Sequence, residues 1–560
     1  MNDKIRVITL GGQDEFGKML TIVEVNDDIF VIECGEKKPD KLRPGVDYII
    51  ANVSYLLENR HRIKAYFLTR GSDPAISGLP FVYEKAPAPI YCTDTTYAVL
   101  SLFMRHNKLN VRMDVNIKKP TDEFYVGNHR INFFALCASM SHANGVSIHT
   151  SYGNIMFFGA FVIDNDSLPD YYYDRKEIAR LSEEGVLLLM CEARYADRRG
   201  YSNPSYKLVS LMEHAFKDAQ GRIFLALETN DMYNIVNAAT FALQNKKKII
   251  FYDKETQDTY HTFSKFLSID GSLTANRFYT IDTINNHAPQ DIVIFMVDWG
   301  DKLYHKLALL ASKDNPTKII NLNENDTIIV GVPYHIESEV SETKTIDMLY
   351  RSSAKVVRFD KKSFIRMHAS EEDIKTILSI TSPKYFVPIY GAYRKLLDAA
   401  RVALSTSVGL THNKIFVMDN GNYIDIVDGV ARLATVSLPH GDVYVDGKGI
   451  GDITSSILEE RVKFADDGVI IIGVTISRSK RCIVAGPDIQ ARGFVYLKDS
   501  EVLIKELTKL VEALLLNALE GSEFYNEEKL QNNIADAAFR LIRRYSLKNP
   551  SIIPSITILD

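Results

Sequence analysis

Cysteine is scarce in this chain, and no two cysteines stand as a CxxC pair. The five, Cys34, Cys92, Cys137, Cys191 and Cys482, are odd in number and scattered, which argues against a disulfide framework and predicts reduced, buried thiols. Long apolar runs are also missing. Val469 to Ile476 is among the longest, well short of the ~20 residues of a membrane-spanning helix. The opening, MNDKIRVITLGGQDEF, enters a β-pattern without the basic and apolar regions of a signal peptide. Together these features predict a soluble, cytoplasmic protein with no membrane partner. Excess positive charge is lacking as well: 66 Lys and Arg stand against 71 Asp and Glu, a formal charge of -5. An RNA ligand would therefore need a local positive groove.

What is present is enough chain for several cores. At 560 residues and 46% hydrophobic content, roughly two to four domains are expected. From Lys4 to about Ser205 short β-runs recur, including Ile5 to Leu10, Leu20 to Val25, Ile29 to Glu33, Ala65 to Leu68, Ile131 to Leu136, Ile155 to Phe158 and Val186 to Met190. Helical patterns such as Asp94 to Arg105 lie between them, which suits a layered α/β architecture. From about Tyr206 to Tyr350 helix and strand alternate, with strands at Ile223 to Ala226, Lys248 to Phe251, Ile292 to Val297 and Thr327 to Val332. That rhythm predicts parallel βαβ units inserted as a second domain. From Val356 a strand, a helix (Glu371 to Ser379), a strand (Tyr385 to Ile389) and a helix (Tyr393 to Ser405) read as a return to the first domain. A Gly-rich linker then precedes a compact tail, in which Ser500 opens a helix carrying Leu503, Leu507, Leu510, Val511, Leu514 and Leu515 on one face. Asn526 is placed to cap a second helix, and Ile552 to Leu559 reads as a last strand. The expected division is 1–205 with 352–440, an insert at 206–351, a linker at 441–455 and a tail at 456–560.

The stretch Leu68 to Pro80, LTRGSDPAISGLP, resembles the first metal motif of the metallo-β-lactamase superfamily, most closely that of ribonuclease J, THGHxDHIGGLP. Other segments resemble the same family in order: GGQDEFGKMLTIVEVNDDIFVIECG (Gly11 to Gly35), NGVSIHTSYGNIMFFGAF (Asn144 to Phe161), PKYFVPIYGAYRKL (Pro383 to Leu396) and AGPDIQARGFVYLKDSE (Ala485 to Glu501). The resemblance spans nearly the whole chain. It implies an α/β protein in which a metallo-β-lactamase αββα sandwich is interrupted by a β-CASP domain and followed by a small α+β dimerisation domain. It also implies RNA processing or decay, by cleavage at two zinc ions in active members.

The same resemblance places the family's metal ligands on residues that cannot bind metal. The first motif falls on Arg70, Ser72, Pro74 and Ala75, and the later ligands on Ala138, Ala160 and Tyr390. Two catalytic-motif positions keep their type, Glu192 in LLLMCEA and His368 in MHASEED. These two read as a leftover structural pair or as vestigial catalytic residues. Without metals there is no Lewis acid and no neutral-pH hydroxide, and a general acid and base alone supply only about 10²- to 10⁴-fold. No cofactor is therefore expected, and Arg70 is expected to salt-bridge Glu192 in place of metal. Asp73, His142 and His149 form a weaker candidate for a rebuilt metal site, against the reading that they are ordinary surface groups.

The family's phosphate-binding glycine-serine segment falls on Val297 to Leu303, where Asp298 and Asp301 are expected to repel phosphate. Its serine-rich segment falls on Val330 to Ile336. The basic stretch Arg478 to Arg481 and the cluster Arg540, Arg543 and Arg544 read as solvated faces before RNA sites. Gly447 to Gly451 reads as a turn, and Tyr171 to Tyr173 and Trp299 as packing. The expected function is a metal-free partner subunit of an active ribonuclease J paralogue, RNA-associated and dimeric or tetrameric, as a homo- or hetero-oligomer, through the tail. The alternative is an active exo- and endoribonuclease with a non-standard metal site, and a third is a metal-free RNA-binding module working alone.

Overall fold

A computed structural model describes residues 2–559 except 41–42, 267–276, 313–319, 335–337, 448, 452–454, 495–499, 521–525 and 547. The chain forms two compact units, residues 1–38 with 49–443 and residues 39–48 with 444–560.

In the first unit two sheets face one another. One has eight strands in the order Val430–Leu433, Tyr423–Val427, Ile5–Gly11, Leu20–Val25, Asp28–Ile32, Ile63–Leu68, Ile90–Cys92 and Val115–Ile117. The other has six, in the order Tyr385–Ile389, Val186–Glu192, Gly153–Phe158, Asn144–Thr150, His129–Ala135 and Glu123–Val126. Successive side chains on a strand point to opposite faces, and the aromatic pairs of the second sheet use both. Phe133 and Phe157 pack inward with Val7, Val23, Phe30 and Phe67 of the first sheet. Phe134 and Phe158 pack outward beneath the helices Arg175–Glu183, Glu371–Thr381 and Tyr393–Ser405, against Ile178, Ile374 and Leu396. Each buried phenylalanine contributes about 1.5–3 kcal/mol over an exposed one. On the far side of the first sheet, Tyr66 meets Tyr83 of the helix Leu79–Tyr83. Helices thus cover both outer faces, which is the αββα layering that the resemblance implies.

The inserted domain is a wholly parallel six-stranded sheet in the order Phe278–Thr280, Lys248–Phe251, Ile292–Asp298, Ile223–Glu228, Thr327–Gly331 and Lys355–Arg358. Its central strands, IFLALE and IVIFMVD, are buried along their whole length, as strands covered on both faces must be. The sheet reaches past the expected boundary at 351. Lys355–Arg358 pairs with Thr327–Gly331 through Ile328↔Val356 and Ile329↔Val357, so this strand completes the insert and does not begin the return.

The expected linker at 441–455 is also corrected in part, because Asp442–Asp446 and Gly449–Ile450 form an antiparallel hairpin. Within the Gly447 to Gly451 turn, Lys448 lies outside the described residues. In the second unit the strand Val469–Ser477 pairs antiparallel with Cys482–Arg492 and parallel with Ser551–Leu559. The helices Ser500–Glu520 and Glu527–Tyr545 cover one face of this sheet, burying Leu507, Val511, Leu515, Ile534, Ala538 and Ile542 against Ile470, Ile472 and Ile476. Asn526 caps the second helix by accepting from the Lys529 amide at 2.9 Å, a contact that stabilises a helix by typically ~1 kcal/mol.

Candidate functional site

The parallel strands Asp28–Ile32 and Ile63–Leu68 run side by side, with Ile32 opposite Phe67. Their C-terminal ends therefore deliver Glu33 and the Thr69-Arg70 pair to one place. Arg70 Nη1 donates to Glu33 Oε1 at 2.9 Å, and the Thr69 hydroxyl donates to the same oxygen at 2.5 Å. Arg70 Nη2 points to the Met19 sulfur at 3.0 Å. Arg70 is 4% exposed and Glu33 is fully buried. A Cβ on Gly159 would stand 2.5 Å from Arg70 Nη1, so the residue before Ala160 must be a glycine for the guanidinium to lie where it does. Burial pushes the Glu33 acid up, opposed by Arg70 and Thr69.

The expected Arg70–Glu192 salt bridge is replaced by this Arg70–Glu33 pair. Glu192 ends the strand Val186–Glu192, and its Oε2 lies 2.8 Å from His368 Nδ1. Both are buried. Burial pushes the Glu192 acid up, but His368, Arg70 and Arg194 outweigh it and hold the group below its ordinary range. Burial, reinforced by Arg194 and Arg70 against the pull of Glu192, lowers the His368 imidazole to about 4. At neutral pH the pair is a neutral imidazole donating to a carboxylate.

Tyr390 follows the strand Tyr385–Ile389, whose Ile389 sits beside Glu192. Its hydroxyl is 3.1 Å from Thr21 Oγ1, its ring packs edge-on against Phe157, and it is fully buried. A Cβ on Gly12 would come within 2.6 Å of that ring. Glu33 and Tyr390 both hold left-handed backbone, at φ 61 and φ 60, a conformation that costs non-glycine residues of order 1 kcal/mol and persists where surrounding contacts enforce it. Ser72, Pro74 and Ala160 line a cleft beside Arg70 that opens to solvent, together with His368, Arg366 and Trp299. Ala75 and Ala138 are fully buried.

This donor set does not fit a pair of zinc ions, because a guanidinium and alkyl groups stand where imidazoles and carboxylates would be needed. Nor do the weaker candidates assemble into a site. Asp73 accepts from the Ser77 hydroxyl at 3.0 Å, His142 meets Asp94 at 2.7 Å, and His149 meets Asn132 at 2.8 Å and Glu184 at 3.2 Å. Among the described residues no three His, Cys, Asp or Glu side chains are grouped to hold a metal.

Other contacts were not foreseen. Arg366 donates to Glu228 at 2.9 Å and to the Tyr334 carbonyl at 3.1 Å. The Arg194 guanidinium stacks 3.3 Å from the Phe16 ring centroid, its Nη1 has no hydrogen-bond partner among the described residues, and burial lowers it to about 10. The signal for both arginines was their place beside Glu192 and His368 in sequence. Asp298 does not present a bare charge to the cleft, since Lys306 neutralises it at 2.7 Å. Trp299 lines the cleft instead of only packing. Tyr171 is buried against Tyr233. Arg478, Lys480, Arg481, Arg540, Arg543 and Arg544 are all exposed, as solvated faces are. His335 and Ile336 of the second phosphate segment lie outside the described residues, as do 495–499 of the tail motif. Among the described residues no helix is long and apolar enough to cross a membrane.

Comparison with known proteins places this site in its family. Residues 456–559 match the ribonuclease J C-terminal domain. Ribonuclease J 2 of Staphylococcus epidermidis is 30% identical over 565 residues, covering 99% of this chain and 98% of its own. Ribonuclease J 2 of Staphylococcus aureus is 29% identical over 556 residues, with the same coverage. A crystal structure of a protein of unknown function from Enterococcus faecalis V583 superposes with a TM-score of 0.52 at 15% identity, over 75% of this chain and all of that one, a likeness of fold alone. With matching segments from end to end and the αββα core, parallel insert and C-terminal unit in their expected order, the chain belongs to the ribonuclease J family.

Proposed function

We propose that this chain is an RNA-processing protein of the cytoplasm that builds no metal pair of its own and works as the partner subunit of an active ribonuclease J. The observation that carries this reading is the buried Arg70–Glu33 pair. It sets a fixed monocation, already neutralised by a carboxylate, at the loop where the family's dications would be bound. Hydrolysis of a phosphodiester by two metals needs an activated water and a clamp on the phosphate. Arg70 offers neither, and His368 is tied to Glu192. An RNA partner is supported by the family and by a cleft lined by Trp299, Arg366 and His368.

Association is supported by the second unit. The helices Ser500–Glu520 and Glu527–Tyr545 cover one face of its sheet, and Ile471 and Ile553, cross-strand neighbours pointing away from them, are 40% and 44% exposed. We read this pair of half-exposed apolar side chains as part of the association surface.

The test is metal analysis of the purified chain after dialysis against Zn²⁺ and Mn²⁺, with RNA degradation followed with and without an active ribonuclease J. The expected result is no stoichiometric metal, no cleavage by the chain alone, and a changed rate or product pattern in the mixture. Bound metal together with cleavage that His368→Ala abolishes would establish the active-enzyme reading instead.

A further inference from the structure

The strands Ile223–Glu228 and Ile292–Asp298 lie side by side in the insert and end together, Glu228 opposite Asp298. From that point the chain parts in opposite directions along the sheet. After Glu228 the helix Met232–Gln244 leads to Lys248–Phe251 on one side, and after Asp298 the helix Gly300–Ala311 leads to Thr327–Gly331 on the other. In open parallel sheets the crevice at such a switch point is where a ligand sits. Here it is filled from within. Arg366 Nε donates to Glu228 Oε2 at 2.9 Å, and Nη2 donates to the other oxygen of the same carboxylate and faces the Pro333 carbonyl at 3.5 Å. Nη1 donates to the Tyr334 carbonyl at 3.1 Å. All three guanidinium nitrogens are thus engaged, and the Arg366 and Glu228 side chains are only 10% and 3% exposed. Two parallel N–H bonds to one carboxylate fix position as well as charge.

The segment that carries Arg366 grips both domains. It returns from the insert's last strand, Lys355–Arg358, to the helix Glu371–Thr381 of the core. Arg366 holds the insert, and two residues later His368 holds Glu192 of the core at 2.8 Å. Between domains the Ile365 amide donates to the carbonyl of Ser205, on the outgoing crossing, at 3.0 Å. With the insert held this way, its Asn230 and Trp299 line the same cleft as Phe16 and Pro74 of the core. The cavity left among them is about 40 Å³, room for roughly three water molecules and too little for a nucleotide. We propose that Arg366 is a latch: as an internal ligand in the insert's crevice it holds the insert down on the core, and it must leave Glu228 before single-stranded RNA can enter the cleft. RNA entry rests on the RNA reading above, whereas the hold on the insert does not.

Trp299 is the only tryptophan of the chain, so acrylamide quenching of its fluorescence reports on the cleft with no RNA present. Two variants of the full chain release the latch in different ways: Arg366→Met removes the guanidinium, and Glu228→Gln leaves it in place without its counter-charge. Glu228→Gln keeps the shape of the site and carries the test should Arg366→Met fail to fold by circular dichroism. Both variants should show stronger quenching and a larger radius of gyration by small-angle X-ray scattering. Both should also bind a fluorescein-labelled polyuridylate about tenfold more tightly, the gain from removing a closed state that predominates about ten to one. Unchanged quenching in the folded variants would overturn the proposal, and so would stronger quenching at an unchanged radius, which is local loosening around the indole. Weaker RNA binding in Arg366→Met would overturn it too, since the guanidinium would then be an RNA contact. Stronger quenching and a larger radius with no RNA bound by any form would uphold the latch and sink the RNA reading. Equal RNA binding in all forms, with unchanged quenching, would sink the latch alone.

Discussion

Arg70 and Glu33 form a buried ion pair, and such pairs are revealing when one member is removed. Arg70→Met leaves the buried Glu33 carboxylate without its counter-charge, and should cost about 3 kcal/mol at pH 8. The cost should shrink at acid pH, where Glu33 takes up a proton. Arg70→Met combined with Glu33→Gln should recover much of the loss, because the charge and its partner leave together. Urea melts of the three variants measure this, and a neutral Arg70→Met would remove the pair from any structural role. His368 gives a second test. Its imidazole is lowered from 6.5 to about 4, so between those values the unfolded chain binds a proton that the folded chain refuses. That term weakens the fold as pH falls through the window, by ~1.4 kcal/mol per pH unit at most. His149, also near 4, acts in the same direction, while Glu36 and Asp231, raised to about 7 and about 6, act oppositely. The clean quantity is therefore a difference. Relative to the unaltered chain, His368→Gln should gain stability steadily from pH 6.5 to 4, and a pH-independent difference would contradict the neutral imidazole.

At the scale of elements, the open face of the C-terminal sheet carries the association reading. Ile471→Lys with Ile553→Lys places two charges on that face without touching the helices behind it. Sedimentation should show the unaltered chain associating and the double variant monomeric at the same concentration, with unchanged melting. Persistence of the larger species would move the interface elsewhere. Elements also show what a sequence reader can recover. Ile223–Glu228 and Ile292–Asp298 were legible because strands buried on both faces are written as unbroken apolar runs. Lys355–Arg358 was given to the wrong domain, since an edge strand half-exposed throughout has no such run. Tyr423–Val427 and Val430–Leu433 escaped notice for the same reason, their outward residues Val427, Val430 and Leu433 being near half exposed. The positions at which the chain departs from the family's metal motif were legible residue by residue, because each can be set against a known motif. The partner of Arg70 was not, because Glu33 reaches it only through the side-by-side register of two strands that are distant in the chain.

At the scale of the first unit, the eight-stranded sheet joins Ile5 to Ile426 and Val7 to Ile424. The partners are about 420 residues apart, and at ~5–20 residues per second a ribosome takes about 20–80 s to make the chain between them. Throughout that interval the first strand has a neighbour on one side only, and its other edge is open to pairing with another nascent chain. Arrested chains ending before Asn422 should therefore stay sensitive to trypsin at Arg6 and Lys18, and chains from which the Tyr423–Leu433 hairpin has emerged should resist. Equal sensitivity in both would mean that the first strand is secured without its last partner. The early strands of this protein are thus a matter for chaperones during synthesis, and a truncation that spares every site residue but removes the hairpin would be expected to aggregate.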